Sequence, residues 1–475
     1  MKKFYLSTAV PYVNYSPHAG FALEIIQADV IARYHRLLGE EIYFLTGTDE
    51  NSLKNVQAAR EEGIPVKKLV DRNAKKFYEL KKALNLSFDD FIRTTEKRHI
   101  KGAQKLWLAC QKDIYKKKYR GLYCVGCEAF YKESELVGGF CPEHREKPEW
   151  VEEENYFFKL SKYQNQLRKI IENDEIKIIP ETRKNEVLSF IKSGLEDICI
   201  SRLAKRGQGW GIPVPGDPSQ ILWTWYDALS NYINAVGYSD NLKRFKKWWP
   251  ADLHIVGKGV IRFHAVYWIA ILLSAKISLP KEIFVHGYLT SGGQKMSKSL
   301  GNVIDPFELV KKYGTDAVRY FLLREIPPTE DGDFTYEKFE ARYNSDLASG
   351  LGNLVARVLT LATKLKIKNE KFKITNQNLK SIIDETWKNY KKALDEFKFN
   401  EVLISTWELI SFCDRYIEKE RPWEKSEKQQ LTINNLLFTI DNIAQLLKPF
   451  LPETSEKVLE QLKTKKIKIL FPRLK

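Results

Sequence analysis

The chain predicts an α/β fold built on a parallel sheet, interrupted by a metal-bearing insertion and continued by an all-α bundle. Three observations carry this reading. Strand-like and helix-like segments alternate at the start, a cysteine-rich stretch breaks that rhythm, and after about Thr335 only helical periodicity remains.

Taken in order, Phe4 to Val10 is a short apolar run closed by Pro11, which reads as a strand. Phe21 to Leu38 is helical, and the short run Pro17-His18-Ala19-Gly20 opens it. Glu41 to Leu45 is strand-like again and is expected to end in a turn, Thr46-Gly47-Thr48-Asp49. Strand, helix and strand make a βαβ unit, which implies a parallel sheet with a right-handed crossover. Ligands of such sheets sit at the carboxyl ends of the strands. Pro11-Tyr12, His18 and Asp49 fall there.

Residues 1–115 therefore form the first half of the sheet domain, and residues 116–220 an insertion. The insertion holds a Cys/His cluster, the acidic run Glu152-Glu153-Glu154 and a Gly/Pro-rich stretch from Gly207 to Pro218. Over 221–280 the pattern resumes with a strand at Asp252 to Val256 and an apolar helix at Val260 to Ala275. Over 281–345 a strand, Glu282 to Leu289, is expected to run into the loop Lys295-Met296-Ser297-Lys298-Ser299, set among Gly292, Gly293 and Gly301. In 346–475, Leu351, Leu354, Val355, Val358, Leu359 and Ala362 recur at helical spacing. Leu403, Trp407, Ile410 and Ile417 do the same, so a helical bundle is expected.

Two of these segments carry phosphate chemistry. A helix N-terminus offers backbone N–H groups to anions. A lysine loop can close over the same phosphates as charge builds in a transition state. Together they predict a nucleotide site assembled from parts far apart in sequence. The insertion carries a different chemistry. Cys124-x-x-Cys127 and Cys141-x-x-His144 supply two close pairs of soft or borderline ligands, enough to close a tetrahedral Zn²⁺ with no open position. The metal is expected to be structural, one per chain.

Bulk properties bound the class. With 475 residues, several domains are expected, and 43% hydrophobic and 12% aromatic content suffices for folded cores. No apolar run reaches the ~20 residues of a membrane span. The start, Met1-Lys2-Lys3-Phe4, lacks a cleavable signal pattern, and a cytoplasmic protein is expected. The formal charge of +16 suits an anionic partner such as RNA, or reflects a composition rich in Lys, Asn and Ile.

With these parts placed, the chain resembles the methionyl-tRNA synthetases of the bacterial type, which are class I aminoacyl-tRNA synthetases. The resemblance spans nearly the whole chain. It rests on Ala9-Val10-Pro11-Tyr12, Pro17-His18-Ala19-Gly20, Thr46-Gly47-Thr48-Asp49-Glu50, Trp225-Tyr226-Asp227-Ala228, Phe263-His264, Lys295 to Ser299, Leu351-Gly352-Asn353-Leu354 and Leu470-Phe471-Pro472-Arg473. It implies a Rossmann-like catalytic domain in two halves, a connective insertion with a zinc knuckle, a stem-contact region around the lysine loop, and an anticodon-binding helical domain. No further tRNA-binding module follows in the sequence, which suggests a monomer.

The activity implied is ATP-dependent joining of L-methionine to tRNA(Met) through methionyl-adenylate, with Mg²⁺ accompanying ATP. Pro17, His18, Gly20, Lys295, Ser297 and Lys298 would bind ATP, with His18, Lys295 and Lys298 carrying the catalysis. Val10, Tyr12, Trp225, Tyr232, His264 and Trp268 match the methionine pocket, and aromatic walls suit a thioether. Asp49 would pair with the substrate ammonium. Asn353, Arg357 and Trp423 match the anticodon readers, a ring to stack a base and polar groups to read its edges.

Three departures from the family pattern stand out. Phe21 stands where a second histidine is usual, Asn51-Ser52 where His-Gly is usual, and Gly259, after Lys258, where an acidic residue is usual. Loss of one preorganised donor typically costs ~3 kcal/mol in the transition state. The departures leave a second reading beside the enzyme, a weakly or non-catalytic paralogue that binds tRNA.

Overall fold

The computed structural model describes residues 2–127, 129–142, 145–296, 301–367, 374–424 and 428–475. Two compact units are formed. The first comprises residues 1–17, 35–81 and 87–286, and the second residues 18–34, 82–86 and 287–475.

The first unit is built on a six-stranded sheet. Its strands are β1 (Lys3–Thr8), β2 (Glu41–Thr48), β3 (Asp90–Arg93), β4 (Lys177–Ile179), β5 (Leu253–Gly257) and β6 (Glu282–His286), in the spatial order β3-β2-β1-β5-β6-β4. Every neighbouring pair is parallel. A parallel sheet is covered on both faces, so its strands read as mostly apolar runs. Tyr5, Leu6, Phe44, Leu45, Ile255, Val256, Ile283, Phe284 and Val285 are accordingly buried. The insertion adds an antiparallel sheet in which Ile114–Cys124 pairs with Ala129–Tyr131 and with Glu149–Phe158. The stretch expected to be an insertion also returns to the parallel sheet, because Lys177–Ile179 is its edge strand.

Three local expectations are corrected. Thr46-Gly47-Thr48 is not a turn: it is the end of β2, paired with Phe91, Ile92 and Arg93. Gly47 is there for close approach, since a Cβ at that position would stand 2.0 Å from the Ile92 carbonyl oxygen. Secondly, Glu282 to Leu289 is not one strand. β6 ends at His286, and Leu289–Ser291 belongs to a small sheet with Gln294–Lys295 and Gly332–Phe334. Gly287 separates them, and a Cβ there would lie 2.0 Å from the Glu330 carbonyl oxygen. Thirdly, the helix expected from Val260 starts irregularly. A π-helical turn at Phe263–Tyr267 precedes the α-helix Trp268–Ala275, and His264 sits on that turn.

In the second unit α1 (Ala19–Leu37) supplies residues 19–34, and the regular elements among the described residues beyond Thr335 are all helices. The predicted stripe Leu351, Leu354, Val355, Val358, Leu359 and Ala362 is buried as expected. Arg319 is fully buried and pairs with Asp29 at 2.8 Å. It also donates to the carbonyls of Phe450 at 2.7 Å, Pro449 at 2.9 Å and Leu84 at 3.1 Å. With all three guanidinium nitrogens engaged, the buried charge is tolerated. No helix among the described residues is long and apolar enough to cross a membrane.

Candidate functional site

At the start of α1 the backbone amides are already engaged. The Ala19 N–H donates to the Ile304 carbonyl at 2.9 Å, and those of Phe21 and Ala22 donate to the His18 carbonyl at 3.0 and 3.1 Å. The Gly20 N–H donates to His18 Nδ1 at 3.0 Å. The expectation of free amides for phosphate is thus corrected. His18 caps its own helix, and the dipole field remains while the donors are taken. With Nδ1 accepting, the imidazole proton sits on Nε2. His18 is exposed as a residue, yet the protein around its ring desolvates the charged form and lowers its pKa, which favours the neutral imidazole.

Gly20 is where the two nucleotide motifs meet. A Cβ there would press into the His18 ring at 2.8 Å and stand 3.4 Å from the Met296 methyl group. The described arm of the lysine loop therefore reaches the first turn of α1. Lys295 is exposed, its ammonium 5.2 Å from the Tyr288 ring centroid. Pro17 is buried. Ser297 and Lys298 lie outside the described residues. Phe21 is buried in the helix, so nothing polar replaces the histidine usual there, and Gly259 is exposed.

In the first unit the residues expected to bind methionine form a connected aromatic cluster. Trp225 lies 6.4 Å from Tyr12 and 6.3 Å from His264, both edge-on. Tyr232 lies 6.1 Å from Trp268, which is fully buried. His264 donates from Nδ1 to the Val260 carbonyl at 2.9 Å, so its Nε2 accepts from the Tyr232 hydroxyl at 2.8 Å. Val10 is half-buried just beyond β1. Asp49 bridges to Tyr12 through the backbone, its N–H donating to the Pro11 carbonyl at 2.8 Å. It is 2% exposed, which sets a carboxylate beside an aromatic wall. The neighbouring Glu50 is held by Arg93 at 2.6 and 2.9 Å, which stiffens the segment carrying Asp49.

Two further side chains belong to this cluster. Phe263 stacks flat on Trp225, centroids 3.8 Å apart and planes 5° from parallel. His254 lies 4.3 Å from the Tyr232 ring and accepts or donates at Ser7 Oγ over 2.7 Å. A histidine inside an apolar strand, Leu253-His254-Ile255-Val256, was the signal for it. Burial pushes the His264 imidazole down to about 4. Burial and the neighbouring His264 push His254 down to about 3.

Both histidines are therefore neutral in the fold and protonate first in the unfolded chain. Their contribution to stability is complete above the ordinary histidine pKa and is lost as pH falls from about 6.5 toward 4. Lowering pH from 7.5 to 5 should remove about 2 kcal/mol per histidine. Denaturant titrations at the two pH values measure this. His264→Gln, which can donate and accept but does not titrate, should lose roughly half of the slope. An unchanged slope would show that the imidazoles do not govern it.

The sulfur atoms of Cys124, Cys127 and Cys141 lie within 4.8 Å of one another. Tyr131 donates its hydroxyl to Cys127 Sγ at 2.9 Å. This convergent thiol set, partly buried and hydrogen-bonded from outside, can hold a metal ion. His144 lies outside the described residues. In the helical unit, Arg357 pairs with Glu418 at 2.6 Å and its guanidinium lies 5.2 Å from the Trp423 ring. Asn353 is exposed and Trp423 is 46% exposed, so a ring and polar groups face solvent together.

Known proteins resemble this chain in sequence and in fold. A family profile described as "tRNA synthetases class I (M)" matches residues 4–147 and 144–359, and one described as "Anticodon-binding domain of tRNA ligase" matches residues 376–473. A methionine–tRNA ligase of Brucella suis biovar 1 is 43% identical, over 97% of this chain and 91% of the relative. One of Thermotoga maritima is 42% identical, over 97% of this chain and 75% of the relative. The solved Mycobacterium tuberculosis methionyl-tRNA synthetase in complex with methionyl-adenylate superposes with a TM-score of 0.90 at 39% identity, covering 100% of this chain and 98% of that one. Identity of that order along nearly the whole length, through catalytic and anticodon-binding parts alike, decides between the enzyme and the tRNA-binding paralogue. The chain belongs to the class I methionine–tRNA ligases.

Proposed function

We propose that the aromatic cluster and Asp49 bind methionine, and that His18 and the lysine loop handle ATP. The thioether lies among Tyr12, Trp225, Tyr232, His264 and Trp268, with Val10 at the rim. The ammonium pairs with Asp49. The methionine carboxylate attacks the α-phosphorus of ATP, forming the acyl–phosphate bond and releasing pyrophosphate. A terminal ribose hydroxyl of tRNA(Met) then attacks the adenylate carbonyl, and AMP leaves. His18 donates from Nε2 to a phosphate oxygen, Gly20 leaves room for it and Pro17 shapes the approach. Lys295, Ser297 and Lys298 take up the charge of the departing pyrophosphate. Mg²⁺ supplies further charge neutralisation when ATP is bound.

Cys124, Cys127, Cys141 and His144 would hold one structural Zn²⁺. Asn353, Arg357 and Trp423 would read the anticodon, the ring stacking a base while the amide and guanidinium meet base edges. The enzyme is expected to act as a monomer in the cytoplasm. The observation that supports the methionine assignment best is neutral His264. Its ring nitrogens are both committed, so it presents an uncharged face to an apolar side chain.

Pyrophosphate exchange across several amino acids tests this reading. Exchange is expected with methionine and ATP, and its absence at saturating substrates would overturn the assignment. Trp423→Ala should impair charging of tRNA with a CAU anticodon by about 10²-fold, within the range for a stacked base, and leave exchange unchanged. Equal damage to both steps would make Trp423 a packing residue.

A further inference from the structure

Asn51 occupies a position where the family pattern has histidine, and its environment is closed. It is 9% exposed. Its side-chain amide donates to Asp227 Oδ2 at 2.8 Å and to the Thr94 carbonyl at 3.2 Å. Its backbone N–H donates to Asp49 Oδ1 at 3.2 Å. One residue thus touches the carboxylate assigned to the substrate ammonium and, from its other end, a second carboxylate.

Asp227 is fully buried. Its Oδ1 lies 2.6 Å from His99 Nε2, and His99 is also fully buried. Asn234 Nδ2 donates its two protons to the His99 carbonyl at 3.2 Å and to Ser230 Oγ at 2.9 Å. A carboxylate only accepts, so His99 gives its Nε2 proton to Asp227. Asp227 therefore receives one N–H on each oxygen, from His99 and from Asn51. Among the described residues no lysine or arginine pairs with it. Asp227 sits on the short helix Thr224–Leu229, beside Trp225.

We propose that Asn51 is a positioning residue for recognition of the substrate ammonium. Its side chain is clamped between Asp227 and Thr94, and the clamped backbone aims the Asp49 carboxylate. The family's histidine could supply the donor to Asp227 but has no second N–H on that atom for Thr94. The asparagine amide supplies both from one nitrogen. This rests on the assignment of Asp49 to the ammonium.

The test is methionine-dependent pyrophosphate exchange. Asn51→Ala should raise KM for methionine about 10-fold, the effect expected for one lost hydrogen bond to a charged group, and change kcat less than threefold. Asn51→His, which keeps one donor to Asp227, should recover most of that KM. It also keeps the test open should the alanine variant fail to fold, which a thermal melt reports. In an Asp49→Asn background Asn51→Ala should add less than twofold, because the two residues act on one contact. An unchanged KM in Asn51→Ala, or the same 10-fold loss with and without Asp49, overturns the inference. Wild-type protein that supports no exchange with methionine overturns instead the assignment beneath it.

Discussion

Lys298→Ala is expected to lower single-turnover adenylate formation by about 10²–10³-fold, the typical effect of removing one preorganised transition-state donor. Methionine affinity should stay within about twofold, since an ammonium that meets charge only as it develops contributes little to the ground state. Negative charge moves onto the bridging oxygen as the α-phosphorus bond to pyrophosphate lengthens, and a lysine on a loop can follow it. The described arm of that loop already lies against the first turn of α1, with the Met296 methyl group beside Gly20. Lys295, exposed on the same arm, should show the same kinetic pattern with a smaller loss. Rapid-quench measurement of adenylate at saturating substrates gives the rate, and equilibrium titration gives the affinity. A rate unchanged in Lys298→Ala would remove this lysine from the catalytic set.

Asp49→Asn should have the opposite signature. A fall in methionine affinity of about 10²–10³-fold is expected, from removal of one partner of a buried charge pair, worth roughly 3–5 kcal/mol. The carboxylate is 2% exposed, so water does not substitute for it when the ammonium arrives. The variant is isosteric and keeps the backbone bond to Pro11, so the local structure should survive. ATP affinity should be unchanged, because the phosphates are assigned to other residues. Calorimetric titration of methionine and of ATP separates the two. A methionine affinity within threefold of wild type would place the ammonium elsewhere.

Much of the architecture is legible from local pattern. The mostly apolar runs at Phe4 and at Leu253, each followed by helical periodicity, are how a sheet buried on both faces reads. The paired spacing of Cys124 with Cys127, and the position of Cys141, foretold the sulfur cluster because knuckle geometry is short-range. Glycines were misread in two places, Gly47 as part of a turn and Gly287 as the interior of a strand, yet each serves to admit a distant backbone, to Ile92 and to Glu330. That use depends on which chain segment passes by, and no local window contains it.

The departures from the family pattern show the same division. Asn51-Ser52 counts as a loss when read alone. In the fold, Ser52 accepts from the Lys54 N–H and caps the helix Leu53–Glu61, while Asn51 bonds Asp227. The sequence by itself determined the parallel sheet, the sulfur knuckle and the helical bundle, because these follow from periodicity and short spacings, and its motifs carried the resemblance to the family. Only the tertiary structure decided which donors remain available: that His18 takes up the Gly20 amide, that His264 is held neutral, and that Asn51 finds its partner 176 residues away. Hydrogen bonds are set by distance in space and by what burial excludes, and neither quantity exists until the chain has closed on itself.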